Sequence, residues 1–227
     1  MWTGERDKKP GVPSRRTERP SASTLNARAS SRAVTHMAQT NTDVINGIDT
    51  QALNQIMGAV KAKPEIARAT FAVESTTERG FNTRSRTQQP TLGGQPLAGR
   101  SRTFEFEGGH PPELLGHDEG PAAVEALLAA LGACVGGGFT TFGAAMGIPL
   151  ERVRIDLTGY LDLQGFMGLP APGVVRPGYE RIHAKIHVKS PASRAELEKL
   201  KEVAEAASPV KDSLRAVRYT SELVVEK

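Results

Sequence analysis

From Leu53 onward the chain divides into short stretches whose apolar residues recur with either the helical or the strand period. Leu53, Ile56, Met57 and Val60 repeat at i, i+3, i+4 and i+7, behind Asp49 or Thr50 as a cap and ahead of Pro64 as a stop, which predicts a short amphipathic helix. The period then becomes two. Ala69, Phe71 and Val73 alternate with Arg68, Thr70 and Glu74, and a turn at Arg79 and Gly80 leads into a polar alternation through Arg84, Arg86 and Gln88, the pattern of a hairpin. A loop rich in Pro and Gly, from Pro90 to Gly99, leads to a third strand in which Phe104 and Phe106 are expected to face inward.

Ala126 to Leu150 is 25 residues without a charge, long enough to cross a bilayer. Six glycines, two threonines, Pro149 and the absence of an aromatic belt weaken that reading. The expectation is a helix buried on nearly all sides within a soluble protein, with no membrane partner. Gly136, Gly137 and Gly138 would each cost about 1 kcal/mol relative to Ala in a helix interior, so another element must approach closely there. Two alternating strands follow, Val153 to Leu163 and Ile182 to Val188, each with one wet face that includes His183 and His187 on the second. The connecting loop, Gln164 to Gly178, carries Phe166, Met167 and Leu169 and is too apolar for an idle connector. Ser193 and Glu196 form a capping box opening a helix with Leu197, Leu200, Val203 and Ala207 on one face. Ser208 and Pro209 begin a short turn, and Val217, Tyr219, Leu223 and Val225 make a last strand. The order is helix, three strands, long helix, two strands, helix, strand: an α+β fold with largely antiparallel pairing.

Composition adds boundaries to this picture. With 38% hydrophobic and 24% charged residues, the chain can bury one sizeable core. Residues 1–36, rich in Ser, Arg, Pro and Thr, lack apolar periodicity and are expected to be disordered; the whole segment 1–48 is assigned to a tail and 49–227 to a single domain. Met37 is an alternative start. Residues 1–36 hold eight basic residues against three acidic, net +5, which leaves the rest at −1 although the chain as a whole is +4. A nearly neutral body lacks the electrostatic footprint of a nucleic-acid binder. No secretory h-region is visible, and a cytoplasmic location is expected.

Candidate chemistry is sparse. Cys134 is the single cysteine, which excludes an internal disulfide and any zinc site built on paired thiolates. By default a lone helix cysteine is a small buried hydrophobe; reactivity would need a cation from elsewhere in the fold. Glu125 is the only charge between Pro121 and Leu150, and on a continuous helix it stands about 13.5 Å from Cys134 along the axis and about 180° around it. A site using both must be assembled across two copies of the chain. Arg84 and Arg86 share a strand face and are candidates for the missing cation. His183 and His187 lie roughly 13 Å apart at strand rise, too far for one metal. His110 and His117, with Glu113, Asp118 and Glu119, match no defined metal spacing. There is no P-loop, dinucleotide glycine fingerprint or nucleophile elbow, so neither metal nor cofactor is expected.

The run from Gly120 through Pro121, Ala122, Ala123, Val124, Glu125 and Ala126 to Cys134 resembles the central-helix signature of the OsmC/Ohr family, the osmotically inducible and organic hydroperoxide resistance proteins. Ala207-Ser208-Pro209-Val210-Lys211-Asp212-Ser213-Leu214 is similar to that family's second conserved turn, and the resemblance extends roughly from Ala67 to Glu226. It implies an intertwined homodimer, with antiparallel sheets wrapped around long central helices. It also implies a cysteine that attacks a hydroperoxide, here Cys134, tuned by a helix glutamate, here Glu125, and by an arginine of the N-terminal sheet, Arg84 or Arg86. The resolving-cysteine position is occupied by Ser208, and Ala122-Ala123 replaces the usual Asn-Pro.

Two functions follow as expectations. One is a one-cysteine, thiol-dependent reduction of organic hydroperoxides in oxidative-stress defence, recycled by an external thiol or dithiol reductant, with Phe166, Met167 and Leu169 forming a pocket for apolar substrates. The other is a non-catalytic dimer of the same fold that binds an apolar small molecule.

Overall fold

Asn46 and Gly47, both at positive φ (53° and 76°), close a hairpin between β1 (Val44–Ile45) and β2 (Ile48–Asp49). The computed structural model describes residues 43–171 and 173–226, so the predicted tail of residues 1–36 and the alternative start Met37 lie outside the described residues. Residues 43–48, assigned to the tail by composition, belong to the folded unit. The Asn46 side chain explains this: Nδ2 donates to the Ile148 carbonyl at 3.0 Å, and Oδ1 accepts the Leu150 N–H at 2.7 Å. The hairpin leads directly into α1 (Thr50–Ala62), where the Asp49 carboxylate, one of the two predicted caps, accepts the N–H groups of Gln51 and Ala52.

Two small sheets follow. β3 (Ala69–Thr70) will pair with a later hairpin, and β4 (Val73–Arg79) turns at Gly80 into β5 (Asn82–Thr87), the predicted hairpin. β6 (Thr91–Leu92) and β7 (Gln95–Pro96) complete a sheet with β3, while β8 (Glu105–Gly108) adds to β5 antiparallel. The expected inward orientation of Phe104 and Phe106 is not observed; both are exposed, as are Phe71 and Val73. Every residue of β4 is exposed, because among the described residues no element packs closely over that sheet. Phe104 is instead flanked by the guanidiniums of Arg100 and Arg102, 4.6 and 4.9 Å from its ring centre.

The long helix α2 runs from Ala123 to Ala145, and Gly147, at φ 71°, ends it before Pro149. It is long and apolar enough to cross a bilayer, yet Leu131, Val135 and Phe139 are buried in the protein core, which makes it the core helix of the fold. Burial on nearly all sides is not observed. Leu127, Ala130, Ala133 and Gly137 remain exposed, because among the described residues no element packs along that side.

After α2 come β9 (Arg152–Tyr160), the short helix α3 (Leu163–Met167), β10 (Arg181–Lys189), α4 (Arg194–Ala206), α5 (Pro209–Ser213) and β11 (Arg218–Glu226). β10 is central, antiparallel to β9 and parallel to β11. Ile182, Ala184, Ile186 and Val188 present its inner face to the core, where Leu197, Leu200 and Ala204 of α4 join the α2 residues. Each such large aliphatic side chain contributes roughly 1.5–3 kcal/mol through burial. Gly138 is the close-approach glycine: a Cβ there would stand 3.0 Å from the Ala204 carbonyl oxygen of α4. Its neighbours Gly132 and Gly136 face Leu157 and Ile155 of β9.

The wet face of the sheet differs from its expected form at one residue. His187 is 9% exposed, because Arg154, Asp156 and Glu226 from the flanking strands fold across it. His183 keeps a side-chain hydrogen bond to Thr220 at 2.9 Å.

Candidate functional site

Cys134 sits half-buried midway along α2, one turn beyond the buried Leu131. Its sulfur meets Ser208, whose Oγ donates to Sγ at 3.1 Å although the two residues are 74 apart in sequence. Ser208 is held there for a local reason. It is the N-cap of α5, its oxygen accepts the Lys211 N–H at 3.3 Å, and Pro209 occupies the first helical position, where its missing N–H costs nothing. Ser208 is 3% exposed. Docking α5 and α4 against α2 therefore brings the two positions of the sequence signature together.

The other expected residues lie elsewhere in the chain. α2 is unbroken between Glu125 and Cys134, so the two face opposite sides of the helix. Glu125 works at the helix start, where its Oε2 accepts the Ala122 N–H at 2.8 Å. Nearby, the Tyr179 hydroxyl donates to the Val124 carbonyl at 2.9 Å, and burial together with the Glu125 charge holds its phenol above the ordinary tyrosine range. Arg84 and Arg86 both turn toward β8: Arg84 pairs with Glu107 at 3.2 Å and Arg86 with Glu105 at 3.7 Å. Among the described residues neither guanidinium bonds to α2.

Phe166, Met167 and Leu169 stand exposed on and just after α3. Phe166 meets the His110 ring edge-on at 6.3 Å between centroids, and His110 stacks on Phe81 at 4.3 Å. Among the described residues no three His, Cys, Asp or Glu side chains converge as metal ligands.

Two of the cavities that flank α2 bring aromatic or polar groups together. One, of about 370 Å³, lies between the β4–β5–β8 sheet and the start of α2, walled by Phe81, Phe106, His110, Pro121, Ala123 and Ala126. The other, of about 360 Å³, opens between α4, α5 and β11, with Leu131, Ile182 and Leu214 below and Glu205, Lys211 and Tyr219 at its rim. Glu205 accepts the Tyr219 hydroxyl at 3.3 Å and lies 3.8 Å from Lys211 Nζ. Burial, then the Glu205 charge and hydrogen bond, push the Tyr219 phenol well above its ordinary range. Sequence reasoning missed this cluster. Its signals were Lys211 inside the Ala207–Leu214 turn and the inward alternation of Tyr219, but nothing local joins either to Glu205.

Comparison with known proteins gives a consistent result. A family model described as OsmC-like protein matches residues 116–222. The fold is similar to the crystal structure of an OsmC-like protein from Mycoplasma pneumoniae, with TM-score 0.55 at 15% identity over 70% of this chain and 98% of that one. It is similar also to an OsmC-like protein of unknown function from Vibrio cholerae, with TM-score 0.52 at 14% identity over 68% and 99%. A protein from Legionella pneumophila, named as an organic hydroperoxide resistance protein OsmC, superposes more loosely, at TM-score 0.46 and 17% identity over 70% and 97%. No curated protein matches the sequence significantly.

Proposed function

We propose, from the premise that this chain is an OsmC-like protein through residues 116–222, that it is a cytoplasmic homodimer reducing organic hydroperoxides with one cysteine. The observation that carries this reading is the half-buried Cys134, which receives a hydroxyl hydrogen bond and lies at the edge of a helix side that the described residues leave bare. A second copy would cover Leu127, Ala130 and Gly137 along with the open faces around Phe71 and Phe106. It would also supply the groups one chain keeps apart: Glu125 and either Arg84 or Arg86 would approach the Cys134 of the opposite subunit. A thiolate there attacks the distal peroxide oxygen, and an external thiol or dithiol restores it. The apolar side chains of Phe166, Met167 and Leu169 would favour alkyl over hydrogen peroxide.

Stopped-flow mixing with an alkyl hydroperoxide tests the reading. A Cys134-dependent reaction, abolished in Cys134→Ser, is expected; a rate no faster than that of a free thiol rejects it.

The cavity walled by Phe81, Phe106 and His110 favours a second reading, a non-catalytic dimer holding an apolar small molecule. In that case Cys134→Ser leaves ligand affinity and thermal stability nearly unchanged.

A further inference from the structure

Ser208 has one proton to donate, and its surroundings direct it. The hydroxyl oxygen is already engaged as acceptor for the Lys211 N–H, and the proton points to Cys134 Sγ at 3.1 Å, in a spot 97% shielded from solvent. Among the described residues Ser208 is the one side-chain donor within hydrogen-bond distance of that sulfur. Lys211, three residues on, is turned to Glu205 and the Tyr219 ring instead. A hydrogen bond of this kind strengthens when the acceptor becomes an anion.

We propose that Ser208 is the donor that favours the thiolate of Cys134 and then leaves its sulfenic acid open to an external thiol, where a second sulfur would have closed a disulfide. The inference rests on Cys134 being the attacking group. In the first step the thiolate forms an S–O bond to the distal oxygen of ROOH as the O–O bond breaks. Sulfur loses two electrons, the peroxide gains them, and the departing alkoxide takes a proton from water to give ROH. Ser208 donates a hydrogen bond throughout and transfers no proton. A low-molecular-weight thiol then displaces water from Cys134–SOH to give a mixed disulfide. A second thiol releases the Cys134 thiolate and carries away the small disulfide.

The test needs no peroxide in its first arm. Iodoacetamide alkylation of Cys134 in the full-length chain is expected to be about tenfold slower in Ser208→Ala at about pH 7, and within about twofold of wild type near pH 10, where any thiol is largely ionised. Ser208→Gly, which a helix N-cap tolerates better than Ala, should slow it equally, separating the lost hydroxyl from a damaged α5. In the second arm, Ser208→Cys treated with an alkyl hydroperoxide should yield an intrachain disulfide. The wild-type chain should yield a sulfenic acid trapped by dimedone.

Alkylation at the wild-type rate in Ser208→Ala and Ser208→Gly, or no disulfide in Ser208→Cys under conditions in which the wild-type chain forms the dimedone-trapped sulfenic acid, overturns the proposal. If alkylation slows as expected but alkyl hydroperoxide leaves Cys134 untouched, the hydroperoxide reading fails and the Ser208 hydrogen bond stands as the thiolate's donor.

Discussion

Replacing Asn46 tests whether the hairpin ahead of α1 belongs to the cooperative fold. The side chain makes two hydrogen bonds to the backbone just beyond α2, at 3.0 Å to Ile148 and 2.7 Å to Leu150. Each contributes about 1 kcal/mol net. The residue also sits at φ 53°, in the left-handed region, where Ala costs roughly 1 kcal/mol more than Asn or Gly. Asn46→Ala is therefore expected to lose about 3 kcal/mol, and Asn46→Gly about 2 kcal/mol, since glycine restores the backbone freedom but not the bonds. For a unit of this size the Ala variant should melt about 6–12 °C lower. Urea denaturation monitored by circular dichroism, with unchanged slope, gives both values. A loss below about 1 kcal/mol in Asn46→Ala would show that the hairpin frays independently of the core. Equal losses for Ala and Gly would remove the backbone share of the argument.

Three other expectations follow from side chains already described. Gly159→Ala places a methyl inside the Tyr179 ring, which is anchored by its bond to Val124, so a loss of about 1–3 kcal/mol by urea titration is expected. Hydrogen bonds from the Ser193 hydroxyl and N–H hold the Glu196 carboxyl below its ordinary range. A carboxylate depressed in this way stabilises the fold above the ordinary glutamate range and loses that contribution as pH falls through its lowered value; Glu196→Gln should flatten that part of an acid-denaturation curve. Tyr219 is displaced the other way, so its contribution is complete below the ordinary tyrosine range, about pH 10, and is lost as pH rises beyond it. Tyr219→Phe should therefore unfold with a weaker alkaline dependence.

Legibility in the sequence tracks how local each feature is. Asp49 as a cap, the Ser193–Glu196 box and the two-residue period of Ile182 to Val188 are settled within one or two turns of chain, and all are observed. Asn46-Gly47 was also legible as a hairpin turn between Ile45 and Ile48. The polar composition around it obscured the signal. Phe104 and Phe106 read as inward because alternation identifies an apolar face without saying whether the same chain covers it. Alternation put His187 on the wet side correctly, but long side chains from the strands on either side then closed over it. Cys134 stood out as the single cysteine of the sequence, whereas Ser208 was tied to it by family resemblance alone. Their contact depends on the docking of α4 and α5, which no periodicity encodes.

The parallel pairing of β11 with β10 also dictates an order of events during synthesis. Nine residue pairs, from Arg181 with Arg218 to Lys189 with Glu226, cannot form until both intervening helices have left the ribosome. At about 5–20 residues per second the nascent chain spends some seconds with one edge of its central strand unzipped. In that interval the edge is open to pairing with foreign strands, a hazard that ends only when β11 zips into place.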